Sequence, residues 1–267
     1  MQYDPSPRQM LTIVANNLRM LGVRRTLGDA IGYLFTAPPR DRFDRTYGVK
    51  TSGAVGKTQA DISEQHAAFN DAVRYVPVPE QVLRSVLDGI ERILPASQAS
   101  FVDLGCGKGR ALIMASWRPF RSVHGVELSP KHAELARKNV ATYLANRPGR
   151  KTVRCTDVQV HCANALEFEF PDTDLAIFMY RPFKGEVFTG VLDRLLAFHQ
   201  RTGHRVVIGY ACPLEERLLH AHPGFVHLHE NQVISEELSW NLWEARAADP
   251  LPARRTDLPR ENTGHRG

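Results

Sequence analysis

Residues 101–110 read FVDLGCGKGR, an apolar run carrying one carboxylate, Asp103, followed by glycines that alternate with Cys106 and Lys108. Glycines at 105, 107 and 109 let a backbone turn tightly and let a ligand approach without a Cβ in the way. The spacing is G-x-G-x-G, and Arg110 stands where a dinucleotide-binding loop would place its third glycine. Asp103, two residues before the first glycine, would repel a pyrophosphate and suits an ammonium group instead. Glu127 lies eighteen residues beyond Gly109, where an acid can accept both hydroxyls of a ribose. Further along, MYRPF (179–183) sets the donor-only guanidinium of Arg181 beside Tyr180, and HCANALEF (161–168) carries Asn164. Tyr180 and His124 are candidate proton acceptors, and Phe183 could stack on a ligand or fill the core. His220, His222, His227 and His229 offer imidazoles, but no carboxylate or cysteine spacing completes a metal site, so no metal is expected.

Hydrophobic periodicity predicts the elements that must position these residues. FVDL (101–104) reads as a strand, 110–117 as a helix stopped near Pro119, and SVHGVEL (122–128) as a second strand. Ser129 and Pro130 then form the N-cap and first position of a helix running to about Asn146. VQVHCANA (158–165), DLAIFMY (174–180) and HRVVIGYA (204–211) are further strands, with a helix over 185–200 between the last two. FVHLHENQV and LSWNLWEA alternate with period two and form a closing antiparallel pair. Ahead of the first strand, YVPVP (75–79) is extended and 80–93 is a helix with Val82, Leu83, Val86, Leu87 and Ile90 on its inner side. The sum is a doubly wound α/β fold with a seven-stranded, mostly parallel sheet covered on both faces.

That sheet domain is expected over 76–246. Residues 1–75 are expected to form a helical and loop extension, and 247–267, almost without apolar residues, a disordered tail. Within the extension, Leu11, Val14, Leu18 and Leu21 recur at helical spacing, TAPPRDRFDR (36–45) is a charged connector, and YGVKTSGAVGKTQ (47–59) is a glycine-rich loop. The amphipathic helices would pack on the main domain or on a second copy, giving a route to a homodimer.

The chain of 267 residues is 43% hydrophobic, enough for a sizeable core. Its four cysteines contain no C-x-x-C pair, and no apolar run approaches the roughly 18 residues of a membrane span. MQYDPSPRQM lacks the pattern of a secretion signal, so a cytoplasmic protein is expected. The net charge of +5 resides in residues 1–60, while later bases and acids cancel. The interleaved basic and aromatic residues of a nucleic-acid groove are absent, leaving a small-molecule or peptide partner as the expectation.

A ligand with an ammonium, no phosphate and a free ribose is S-adenosylmethionine. Residues 101–128, FVDLGCGKGRALIMASWRPFRSVHGVEL, resemble motif I and the following acidic strand of class I S-adenosylmethionine-dependent methyltransferases, and the resemblance extends to about Ala245 as the seven-stranded arrangement of that fold. YVPVP and DLGCGKGR are also similar to a bacterial subgroup of unassigned substrate, distantly similar to the non-SET histone-lysine enzymes. The resemblance implies that Asp103 and the turn of Gly105, Cys106, Gly107 and Gly109 hold the methionyl end. It further implies that Glu127, with Leu128, holds the ribose. Asn164, with Ala165, stands where the family often has an Asp on the adenine amino group, and Tyr75 and residues 48–53 are implied to close over the cofactor. MYRPF occupies the family's acceptor-side position, where amine methyltransferases often have Asn or Asp before Pro. Arg181 there suits a carboxylate or phosphate on the acceptor, with Tyr180 and Arg181 as the catalytic pair. Amine or lysine N-methylation of a protein stays open as an alternative. So do an NAD(P)-dependent oxidoreductase, opposed by Asp103 and Arg110, and a non-catalytic binding module of the same fold.

Overall fold

The computed structural model describes residues 42–53, 75–147, 151–231 and 239–246. The helices predicted over 8–35, any dimer built on them, and the predicted tail lie outside the described residues.

Helices α1 (Arg42–Tyr47) and α2 (Glu80–Ile93) precede strand β1 (Ala99–Leu104). Helix α3 (Arg110–Ala115), strand β2 (Val123–Glu127), helix α4 (Pro130–Asn146) and strand β3 (Val158–Cys162) follow. Then come β4 (Asp174–Tyr180), α5 (Gly185–Thr202), β5 (Val206–Ala211), α6 (Glu216–Ala221), β6 (Phe225–Asn231) and β7 (Trp240–Ala245). The sheet has seven strands in the order β3-β2-β1-β4-β5-β7-β6. β7 runs antiparallel to both β5 and β6, and the other pairings are parallel.

One apolar cluster, on the face covered by α1 to α4, includes Phe43, Tyr47, Leu83, Val86, Leu112, Val140 and Tyr143. The other, under α5 and α6, includes Val126, Ile177, Phe188, Leu195, Leu219 and Trp243. β1, β4 and β5 are apolar nearly throughout because both their faces are covered. Local chemistry sets the helix ends. The Ser129 hydroxyl accepts from His132 N–H at the start of α4, and Gly203, at φ 75°, closes α5.

Three local expectations need correction. α1 lies inside the stretch read as connector and loop, where its aromatic residues reach the core: Phe43 and Tyr47 pack on Trp117, and Tyr47 also meets Tyr143 edge-on. β3 stops at Cys162, and the residues after it fold into a turn. α6, which periodicity did not indicate, is a helix of six residues with Leu219 buried.

Candidate functional site

The chain leaves β1 toward β2 and β3, then returns to lay β4 on the other side of β1. In sheets of this topology a ligand usually lies in a crevice at that reversal, beyond the carboxyl ends of the flanking strands, here β1 and β4. The glycine turn follows β1 and Arg181 follows β4, so both stretches singled out by sequence flank it.

Gly105, Gly107 and Gly109 have φ of 83°, 53° and 84°, conformations that a side chain disfavours. The space each Cβ would fill is taken by the protein itself, which differs from the expectation of an approaching ligand. A Cβ on Gly105 would lie 2.5 Å from Pro182 Cβ, one on Gly107 would lie 2.1 Å from the Tyr75 ring, and one on Gly109 would press on Ala136. The glycines therefore admit Tyr75 from upstream and the MYRPF segment from β4, bringing both against the turn. Cys106 points inward, its Sγ crowding the position of a Cβ on Gly125, so only its backbone faces the crevice. Burial pushes its thiol well up, with the charges of Asp103 and Glu127 adding to the effect.

The two acids differ in how they are satisfied. Glu127 accepts from Gly107 N–H at 2.8 Å and from Ser129 N–H at 2.8 Å, tying the turn to the start of α4. Burial raises its carboxyl, and these N–H bonds partly offset that. Asp103 is 4% exposed. Burial, reinforced by the negative charge of Glu127, holds its carboxyl well above the usual carboxylate range. Burial favours the protonated form of Asp103, and once ionised the acid is suited by an ammonium and not by a phosphate bridge. The residues present thus fit an amino-acid-bearing adenosyl ligand and disfavour a dinucleotide.

Asn164 uses its side-chain oxygen to accept from Leu166 N–H at 3.0 Å, shaping the turn after β3. A contact to an adenine amino group is left with the second lone pair. Ala165 belongs to the apolar cluster under α5 and α6, and Leu128 packs against that cluster. Tyr180 is partly buried, with the guanidinium of Arg181 5.3 Å from its ring centre. His124 lies in β2 and is bonded to Ser122 and His161, away from the strand's carboxyl end. His220 and His227 both pack on Trp243, and His222 meets Asp193. Among the described residues no three potential metal ligands converge.

Sequence reasoning missed the partners of the turn's basic residues. Lys108 and Arg110 face away from the crevice onto residues 44–53, and Asn139 of α4 joins them.

The fold is an α/β domain whose acid-glycine turn suits an adenosyl ligand. Residues 101–195 match the sequence family described as a methyltransferase domain. Over residues 101–195 the chain therefore carries a methyltransferase domain, set in a seven-stranded, mostly parallel α/β sheet. No protein of curated function matches the sequence. Similar solved structures include magnesium protoporphyrin IX methyltransferase from Synechocystis PCC 6803 with bound S-adenosylmethionine, at 17% identity, 81% of this chain, 95% of that chain and TM-score 0.47. The ribosomal protein L11 methylase of Lactobacillus delbrueckii subsp. bulgaricus shares 17% identity over 63% of this chain and 79% of its own, with TM-score 0.45. An RNA methyltransferase from Salinibacter ruber in complex with S-adenosyl-L-homocysteine shares 15% over 67% and 97%, with TM-score 0.43. Likenesses of this order say nothing of the acceptor. No helix among the described residues is long and apolar enough to cross a membrane.

Proposed function

We propose that the enzyme methylates an acceptor bearing an anionic group, a small molecule or peptide, and that Arg181 holds that group. The observation that carries this reading is Arg181 itself. It follows the last residue of β4 with φ 39°, a left-handed conformation costly for a residue with a side chain. Its Nε is buried with no hydrogen-bond partner among the described residues, and Nη1 has only the weak acceptor Cys212 Sγ at 3.8 Å. An orphaned guanidinium nitrogen at the mouth of a ligand crevice invites a carboxylate or phosphate oxygen. The same charge repels a protonated amine, which counts against lysine methylation.

Bound S-adenosylmethionine supplies an electrophilic methyl group on a sulfonium. We assign Asp103 to its ammonium, with Gly105, Cys106, Gly107 and Gly109 shaping the turn around it. Glu127 and Leu128 border the ribose, Asn164 and Ala165 the adenine, and Tyr75 covers the turn. A carboxylate acceptor is already ionised at neutral pH, so transfer onto its oxygen needs alignment and releases no proton. In that case Tyr180 acts by contact rather than as a base. If the anionic group serves only as an anchor, Tyr180 is the nearest candidate to take a proton. The four free cysteines suit a reducing compartment and support a cytoplasmic enzyme.

The test is a mass-spectrometric search for a gain of one methyl group across acidic metabolites and peptides, followed by kinetics on the hit. Arg181→Ala should raise the acceptor's KM by about thirtyfold, equivalent to about 2 kcal/mol, and leave the Kd of S-adenosylmethionine unchanged. Unchanged acceptor kinetics, or methylation confined to lysine amines, would dismiss the assignment.

A further inference from the structure

The glycine turn has a second side, and it is built as carefully as the first. Lys108, 7% exposed, sends Nζ to the carbonyls of Ser52 at 2.8 Å and Gly53 at 3.1 Å, and lies 5.0 Å from the centre of the Tyr75 ring. Arg110 donates through Nε to Thr51 Oγ1 at 2.9 Å and through Nη1 to Val78 O at 3.2 Å, and its Nη2 is 3.8 Å from Asp44. The Asn139 amide bridges Lys50 N–H and C=O to Lys108 C=O. Asp44 organises the segment from within. One of its oxygens accepts from the N–H and hydroxyl of Thr51, and the other from those of Ser52. Burial alone would raise Asp44, but these hydrogen bonds outweigh it and hold the carboxyl below its ordinary value. Tyr75 closes the ring of contacts, donating its hydroxyl to Thr51 C=O at 2.6 Å while its ring fills the space above Gly107.

Every contact between residues 50–53 and the turn lands on the stretch that must hold the methionyl end. Backbone carbonyls gripped by a buried ammonium, and a carboxylate saturated by four donors, are costly to leave unpaired, so they lock in one arrangement or open together. We infer that residues 42–53 are a working part of the cofactor site, and that Asp44 and Lys108 are positioning residues that hold the glycine turn in its binding conformation. The inference rests on the assignment of S-adenosylmethionine to this turn. It also explains Arg110: the third glycine of a dinucleotide loop is absent because this position anchors the upstream segment.

The test uses the full chain. Calorimetry first establishes that the native protein binds S-adenosylmethionine; failure there sinks the cofactor assignment and this inference with it. Given binding, Lys108→Met and Asp44→Asn should each weaken the Kd by about tenfold or more, with the acceptor's KM unchanged and Lys108→Arg restoring most of the loss. A purely structural role would lower the melting temperature and leave the Kd of the folded protein as it was, which overturns the inference. Should either variant fail to fold, hydrogen exchange on the native protein decides. Cofactor should slow the Thr51 and Ser52 amides along with that of Gly107. Protection of Gly107 alone would overturn the inference.

Discussion

The two halves of the crevice are finished to different degrees. On the β1–β2 side, the left-handed positions 105, 107 and 109 are all glycine, and both oxygens of Glu127 accept a backbone N–H. The basic residues of that turn, Lys108 and Arg110, are gripped from behind. On the β4–β5 side, Tyr180 pairs with Ala211, and each strand then ends in a left-handed residue that is not glycine, Arg181 at 39° and Cys212 at 49°. The Nε of Arg181 has no partner among the described residues. The first half is adapted to its own conformation, whereas the second stores strain and carries an unmet donor. Strain and an orphaned polar group together are what a bound ligand would repay, which is the ground for the proposal that this half holds the acceptor.

The sharpest way to break this contrast is to exchange the backbone requirements of the halves. Gly107→Ala puts a Cβ 2.1 Å from the Tyr75 ring at φ 53°, and the ring is held by Thr51 and Lys108. A loss of about 2–3 kcal/mol, or cofactor affinity down by about a hundredfold, is expected, read by thermal melts and calorimetry. Arg181→Gly should do the reverse for stability. Relief of the left-handed cost, less the added freedom of glycine in the unfolded chain, should give a gain of up to about 1 kcal/mol while acceptor affinity is lost. Two changes of the same sign would mean that the halves do not differ as stated.

Next in size is Asp103→Asn. The amide keeps the shape but cannot ionise to meet an ammonium, and should weaken cofactor binding by about 2 kcal/mol, some thirtyfold, without lowering the melting temperature of the cofactor-free protein. The pH dependence follows from the sign of the shift. Because the folded carboxyl titrates above its unfolded value, its contribution to stability is full below the unfolded pKa and is lost as pH rises through the raised one. An ammonium favours the ionised form, so cofactor affinity rises over that same window and binding releases a proton. Calorimetry in buffers of different ionisation heat checks this, and Asp103→Asn should abolish the release.

How much of this was legible in the sequence depends on whether the determinant was local. DLAIFMY predicted β4 to the residue, and Ser129-Pro130 predicted the start of α4, because a short continuous apolar run and a capping pair act over a few positions. That Asp103 and Glu127 stand beside the glycine turn was legible because their distances from the glycines are set by the turn and one crossover. α1 was not. Its residues read as a charged connector until Asp44 finds Thr51 and Ser52 and Phe43 lies under Arg110, with the ring centre 4.7 Å from the guanidinium carbon. Arg110 looked like a missing glycine because its partners lie more than thirty residues upstream. Asn164 was placed at an adenine-contact position by resemblance alone, and its bond from Leu166 N–H, two residues away, was not foreseen.

The smallest expected effect comes from a region belonging to neither half. His124 donates or accepts between Ser122 at 2.8 Å and His161 at 3.1 Å, beside Phe168, at the β2–β3 side of the sheet. Burial, and then His161, lowers the pKa of His124; burial, and then Arg137, lowers that of His161. Their contribution to stability is therefore present above the ordinary imidazole range and is lost as pH falls through the lowered values. His124→Gln keeps a polar group within reach of both partners and removes one titrating site. The drop in urea stability between about pH 7 and pH 5 should shrink by at most about 1 kcal/mol, with cofactor Kd and the pH–rate profile unmoved. A changed pH–rate profile would make His124 a participant in the chemistry and extend the crevice along β2, and the two-part division drawn from the strand ends would then have to include a third part.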